Sequence, residues 1–421
     1  MRDNMSIQNR INQKEGTFWD FENTAKDMLH RIATYPATMV PDMQREIISI
    51  IIEENPSIQN ILDPFHGSGV TLVEGKKLGL LPIGIDINPL AHIITKVKLQ
   101  GVDKNKISSQ NAIIKKNLED INFAYNIYNF YKIDKWFKSE IIESLSKIHC
   151  AIKEIEDNNT REYYWVCLIN IVRKYSNTRS STFKLHIKSQ EMINTIQNNV
   201  IQDFLKSINT HYKYLPDFIK TEEDFTLISG DVKEKLKEVP KESVDLICTS
   251  PPYGDNSTTV TYGQYSMLPL YWIASEDLKE FDEELLKNYS SLDSASLGGI
   301  KSSKVFEYDS AILKEYLSKI SEKKHRKVIG FINDYIETLQ LMLNSLKKGK
   351  YIVLTLGNRR VDNKIMPLTD ITEEFLLDKG IPLISKFDRN IPSKRIPRKI
   401  SRVNDIAVES MSKEYIMIFQ K

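Results

Sequence analysis

The residues of this 421-residue chain that invite a chemical reading first are Thr249-Ser250-Pro251-Pro252-Tyr253. Consecutive prolines supply no N–H and fix φ, so Pro251 and Pro252 cannot belong to a central strand and must hold a rigid loop past its end. The carbonyls around Ser250 and Pro251 then lie outside any sheet ladder, free to accept hydrogen bonds from an amino group. Tyr253 offers a flat face on which a base can stack, worth roughly 1–3 kcal/mol, and extruding a base from a duplex costs about that much. A proline turn beside a core tyrosine has the same composition. The chemical reading is favoured because the loop follows an apolar strand, Val244-Asp245-Leu246-Ile247-Cys248.

A second constellation is Asp63-Pro64-Phe65-His66-Gly67-Ser68-Gly69-Val70-Thr71, placed between the short apolar run Asn60-Ile61-Leu62-Asp63 and a helix beginning near Thr71. Gly67 and Gly69 tolerate φ > 0 and lack Cβ atoms, so a ligand can approach the backbone at the helix N-terminus; a plain strand-to-helix turn would use the same glycines. Further on, Gly84-Ile85-Asp86-Ile87-Asn88-Pro89 puts an acid at the end of another strand. A carboxylate there can accept from both ribose hydroxyls of an adenosine-type cofactor, or it can cap the next helix. Asp231, ending Leu227-Ile228-Ser229-Gly230-Asp231, has the same two readings, with an adenine amino group as its ligand.

Elements must bring these loops to one edge. Apolar runs at 60–63, 83–86, 225–229, 244–248, 351–356, 381–387 and 415–419 read as strands, mostly separated by helical patterns. That alternation predicts an α/β fold, a doubly wound, mainly parallel Rossmann-like sheet, with the last two strands forming an antiparallel edge. In such a sheet ligands bind at the carboxyl ends of the strands. Between residues 100 and 220 the pattern turns helical and rich in Lys, Glu and Asn, which reads as an inserted module dividing the catalytic domain into residues 1–99 and 221–421. The run SSLDSASLGGIKSSK, within an excursion near 275–324, reads as a mobile loop able to close over a substrate.

Composition removes several classes. A hydrophobic share of 41% and a charged share of 27% fit a folded globular protein. No run approaches the roughly 20 apolar residues of a membrane helix, and the N-terminus lacks the apolar segment of a signal peptide, so a cytoplasmic location is expected. Cys150, Cys167 and Cys248 lack metal-ligand spacing, and no metal is expected. The net charge of +2 is uninformative, but Lys386, Arg389, Lys394, Arg395, Arg398, Lys399 and Arg402 crowd one segment with a single acid, Asp388. That segment is a candidate phosphate-contacting strip or a solvated loop.

With these motifs together, the chain resembles the DNA amino-methyltransferases, which make N4-methylcytosine or N6-methyladenine. DPFHGSG resembles their cofactor loop, GIDINP their ribose-binding segment and TSPPY their catalytic loop; Tyr35-Pro36-Ala37-Thr38-Met39-Val40-Pro41 is similar to the segment that packs on the cofactor's methionine moiety. The resemblance covers roughly residues 30–98 and 225–421. It implies S-adenosylmethionine as cofactor, held by Tyr35, Pro36, Asp63, Phe65, Gly67, Gly69, Asp86 and Asp231, and catalysis by Ser250, Pro251, Pro252 and Tyr253. It further implies double-stranded DNA as partner, leaves room for a cognate restriction endonuclease, and implies direct in-line attack by the amino nitrogen without a covalent base intermediate. Serine at the head of the loop is typical of the cytosine-N4 branch, the reading favoured over adenine N6.

No C-terminal recognition domain is expected after the last strand, so target reading is expected to fall to the insertion or the 275–324 excursion. Arg173, Lys174, Arg179 and Lys184, with Arg389, Lys394, Arg395 and Arg398 of the basic strip, are the expected DNA contacts. Methylation of RNA or of a protein amide is the nearest rival, and a catalytically silent nucleic-acid-binding subunit a rival of another class, against which the intact loops argue.

Overall fold

The computed structural model describes residues 6–14, 16–22, 27–179, 182–216, 224–254, 259–278, 281, 284, 288, 290–299, 308–391, 399–403, 406–409 and 411–421. Seven strands form one sheet: β1 (Asn60–Asp63), β2 (Leu81–Asp86), β3 (Thr226–Ser229), β4 (Val244–Thr249), β5 (Leu346–Leu356), β6 (Leu383–Asn390) and β7 (Lys413–Gln420). Their order across the sheet is β3-β2-β1-β4-β5-β7-β6. The first five run parallel. β7 lies antiparallel between β5 and β6, so the reversed strand is inserted next to the edge and β6 is the edge itself.

The central strands are apolar throughout because both faces are covered. Successive side chains alternate faces: Ile61, Leu246, Cys248, Val353, Ile416 and Ile418 pack on one side with α1 (Pro41–Glu54). Their neighbours Leu62, Ile247, Ile352, Leu354, Met417 and Phe419 pack on the other side with the helices Val232–Glu238, Glu322–Ser345 and Leu368–Asp378.

After β1 the chain enters α2 (Val70–Lys77), and after β2 it enters α3 (Pro89–Gln100). The 100–220 segment is helical as read from the sequence, with α4 (Lys104–Glu119), α5 (Ser139–Lys153), α6 (Asn158–Tyr175) and α7 (Val200–His211). Its core is not separate. Tyr163, Tyr164, Trp165 and Leu168 share one buried cluster with Leu90 and Ile94 of α3 and with Tyr265 and Leu268 of α8 (Tyr262–Tyr271). Arg161 and Trp165 also bind Asp277, which follows the SPPY loop in sequence, the indole N–H donating at 2.7 Å. The segment is thus built onto the sheet domain, because α6 is apolar nearly all round and needs cover on several sides.

Residues 290–299 of the run read as a mobile loop are packed: Leu292 and Leu297 are buried, and the Asp293 carboxylate accepts the Gly263 N–H at 3.0 Å. The Ser and Gly content there serves a tight turn, and residues 300–307 fall outside the described ones. Among the described residues no helix is long and apolar enough to cross a membrane, and no group of His, Cys, Asp or Glu could hold a metal.

Candidate active site

The sheet order changes direction at β1: its successor β2 lies on one side and β4 on the other. At such a switch point the connections leave in opposite directions and open a crevice at the carboxyl ends. Asp63 ends β1 and Thr249 ends β4, and both are fully buried; the Thr249 hydroxyl donates to Asp63 Oδ1 at 2.6 Å, and the Phe65 N–H donates to the same oxygen at 3.1 Å. The two motifs therefore meet across one strand pair. Burial pushes the Asp63 carboxyl up to about 7 in spite of these donors.

Gly67 and Gly69 have φ of +49° and +75°. The backbone there requires glycine, and the vacant Cβ positions face the protein's own side chains. A Cβ on Gly69 would lie 2.6 Å from Thr95 Cγ2 of α3, and one on Gly67 3.4 Å from the Tyr35 ring. The glycines let the loop fold down on α3 and the Tyr35 ring. Thr95 Oγ1 then donates to the Gly67 carbonyl at 3.0 Å, and the buried Lys98 ammonium to the Ser68 carbonyl at 2.7 Å. His66 is buried beneath the loop and burial pushes it down to about 4, so it stays neutral.

Asp86 ends β2 half-buried, its Oδ2 accepting the Gly67 N–H at 2.9 Å and its Oδ1 the Asn88 N–H at 2.8 Å. Burial raises it to about 6. The helix-capping reading belongs to Asn88, whose side chain accepts the Leu90 N–H at 3.0 Å ahead of Pro89. Asn88 also donates to the Tyr35 hydroxyl at 2.9 Å and to Ser266 Oγ at 2.7 Å, tying the 35–41 segment to α8. Tyr35 stacks on Tyr262, with ring centroids 5.8 Å apart, and Pro36 beside it is buried. Asp231 acts as a helix cap, its Oδ1 accepting from Lys233 N at 2.9 Å and Glu234 N at 3.3 Å. Phe65 packs against the apolar layer under the sheet.

Beyond β4, Pro251 is buried and Ser250, Pro252 and Tyr253 are half-buried. The Tyr253 hydroxyl lies 3.0 Å from Ser250 Oγ and donates to Glu414 Oε1 of β7 at 3.1 Å, and burial raises its pKa well above the ordinary value. Gly357, just past β5, leaves room for the ring, since a Cβ there would lie 2.6 Å from Tyr253 Cδ2.

A family model described as DNA methylase matches residues 1–96. A type II methyltransferase, M.MvaI, from Kocuria varians is 31% identical over 440 residues, covering 98% of this chain and 96% of that protein. The chain belongs to the DNA amino-methyltransferases. Two further type II methyltransferases match in part: M.MjaII of Methanocaldococcus jannaschii at 27% identity over 50% of this chain and 38% of its own, and M.BsoBI of Geobacillus stearothermophilus at 28% over 49% and 47%.

A DNA amino-methyltransferase uses S-adenosylmethionine, which when bound supplies an electrophilic methyl group on a sulfonium sulfur. The donor set at the crevice fits that group. It offers two acids whose ionised forms burial disfavours until a cation arrives, and Asp86 retains lone pairs for a ribose diol. Direct transfer to an amino nitrogen requires no enzyme nucleophile. Consistent with that, the buried Cys248 thiol contacts Gln44 Oε1 at 3.1 Å, and burial pushes its pKa well up. What the chain can offer such a reaction is orientation and hydrogen-bond acceptors, and the loop around Ser250 and Pro251 has acceptors to give.

Among the expected DNA contacts, Arg179 and Lys184 are exposed. Lys174 is exposed but pairs with Asp203. Arg173 is turned inward, its guanidinium 3.7 Å from the Tyr265 ring centroid and its Nη1 donating to the Tyr265 carbonyl at 3.0 Å. Arg389 is 3% exposed and bound to Glu414 Oε2 at 2.8 Å. It therefore leaves the basic strip and joins the support of the SPPY loop through Glu414; on β6 its inward position follows from the period of two along the strand. Lys394, Arg395 and Arg398 lie outside the described residues.

Sequence reasoning missed Asn88, Gly357 and Glu414. Asn88 stood before a proline at a helix start and was detectable as a cap. The others show themselves only when strands distant in sequence are paired.

Proposed function

We propose that this enzyme transfers the methyl group to N4 of a cytosine flipped out of duplex DNA, at a specific sequence. The observation that carries the reading is Ser250 at the head of the SPPY loop, with the loop mounted at the end of β4 and bonded to the β1 motif through Thr249 and Asp63. Asp63, Asp86, Tyr35 and the loop around Gly67 and Gly69 form the cofactor site; Ser250, Pro251, Pro252 and Tyr253 hold the base, with Tyr253 supplying the stacking face. Pro36, Phe65 and Asp231 belong to the same site as supports.

The exposed Arg179 and Lys184, near the end of α6, are assigned to DNA along with Lys174, and the helical segment to target reading. The term type II in the names of three relatives supports a cognate restriction endonuclease acting on the same site, in the cytoplasm where that DNA is found. Labelled methyl transfer from S-adenosylmethionine to a broad panel of unmethylated duplex DNAs, with RNA and protein as competing substrates, tests the reading. Label in duplex DNA is expected, and label confined to RNA or protein refutes it.

A further inference from the structure

A serine hydroxyl is ambiguous: it presents a lone pair or a hydrogen, and only the first suits an amino group, which is a donor. In this molecule the ambiguity is resolved from a distance. Glu414 and Arg389 are directly opposed on β7 and β6. The buried Arg389 Nη1 holds Glu414 Oε2 at 2.8 Å, and Glu414 Oε1 faces the Tyr253 hydroxyl at 3.1 Å. An ionised carboxylate only accepts, so Tyr253 donates to it. Tyr253 has a single hydrogen, so its oxygen is left to accept from Ser250 Oγ, 3.0 Å away.

We propose that Glu414 is a positioning residue that sets the polarity of this chain, so that Ser250 turns a lone pair and not a hydrogen toward the substrate's amino group. The inference rests on the reading above that Ser250 faces that amino group. It does not depend on whether the base is cytosine or adenine, since both amino groups donate.

The geometry makes an isosteric change disruptive. In Glu414→Gln, Arg389 keeps the amide oxygen as its acceptor, which leaves the NH₂ toward Tyr253. The amide then donates to Tyr253 and Tyr253 donates to Ser250, which takes the fixed acceptor away from the Ser250 hydrogen and frees it to turn toward the amino hydrogens. A donor facing a donor in a closed site loses the bond and leaves both groups unsatisfied. The single-turnover methylation rate of unmethylated DNA should fall roughly 10- to 100-fold, with cofactor affinity unchanged.

Two comparisons separate polarity from simple support. In a Tyr253→Phe background the chain is already cut, so adding Glu414→Gln should change the rate by less than about twofold. Glu414→Asp keeps the acceptor at the cost of length and should outperform Glu414→Gln, whereas a role in shape alone predicts the reverse; rates are compared per folded, cofactor-binding enzyme, so that a folding defect in Gln does not imitate the effect. Equal losses from Glu414→Gln with and without Tyr253, a wild-type rate in Glu414→Gln, or Gln outperforming Asp would each overturn the proposal. If the wild type methylates no DNA amino group at all, it is the reading of the site that fails instead.

Discussion

Replacing Gly69 by alanine tests whether the cofactor loop owes its glycines to the protein or to the ligand. An alanine at φ +75° costs roughly 1–2 kcal/mol for the left-handed backbone alone. Its Cβ would also meet Thr95 Cγ2 at 2.6 Å and Oγ1 at 2.7 Å. Thr95 is β-branched, helical and fully buried, so it has little freedom to rotate away, and overpacking of this kind costs about 1–3 kcal/mol. The sum is about 2–5 kcal/mol, visible as a lower urea midpoint of the cofactor-free protein at unchanged slope. Thr95→Ala removes both nearest atoms. Alone it destabilises by about 1 kcal/mol through the lost bond to the Gly67 carbonyl, but in the Gly69→Ala background it should be neutral or stabilising. If Gly69→Ala leaves the cofactor-free protein as stable as wild type and abolishes only cofactor binding, the packing account is wrong.

Cofactor binding should weaken on acidification. Asp63 and Asp86 are raised to about 7 and about 6, so lowering the pH through those values protonates them in the free protein, and a cationic, diol-bearing ligand needs them ionised. Calorimetric titration should show affinity falling below about pH 7, and Asp86→Asn should shallow that dependence. The same raised values mean that the folded state holds these protons more tightly than the unfolded one. Their contribution to stability is therefore greatest below the ordinary aspartate range and is lost as pH rises toward 7. Tyr253→Ala should lower kcat/KM for DNA roughly 5- to 150-fold, the loss of a base stack of about 1–3 kcal/mol, while cofactor affinity measured on the same protein stays put. Arg389→Met should lower the melting temperature without altering the slope of log affinity for DNA against log salt; Lys184→Ala, by contrast, should reduce that slope by about one.

The fold was legible where period and punctuation agree. Double-sided burial makes the central strands continuous apolar runs, and prolines and glycines mark the loops that follow β1 and β4. The cofactor loop and the catalytic loop were therefore recognisable as partners before their contact through Asp63 and Thr249 was seen. What escaped was whatever depends on pairing between distant strands. Nothing local distinguishes Arg389 from the other bases of its segment; only the register of β6 against β7 sets it inside, opposite Glu414. Gly69 is identifiable by type, but its packing partner is not, because the atoms facing its vacant Cβ position belong to Thr95 of α3. The helical segment was read correctly as helix, but its fusion with the sheet domain depends on which faces of α6 find cover, and periodicity alone does not say that.

The central claim is the atom that receives the methyl group. Unmethylated duplex DNA incubated with the purified enzyme and S-adenosylmethionine, digested to nucleosides and resolved by mass spectrometry against authentic standards, identifies it directly. N4-methylcytosine, absent when Ser250→Ala replaces the wild type, is the predicted product; N6-methyladenine in its place would contradict the assignment of the base.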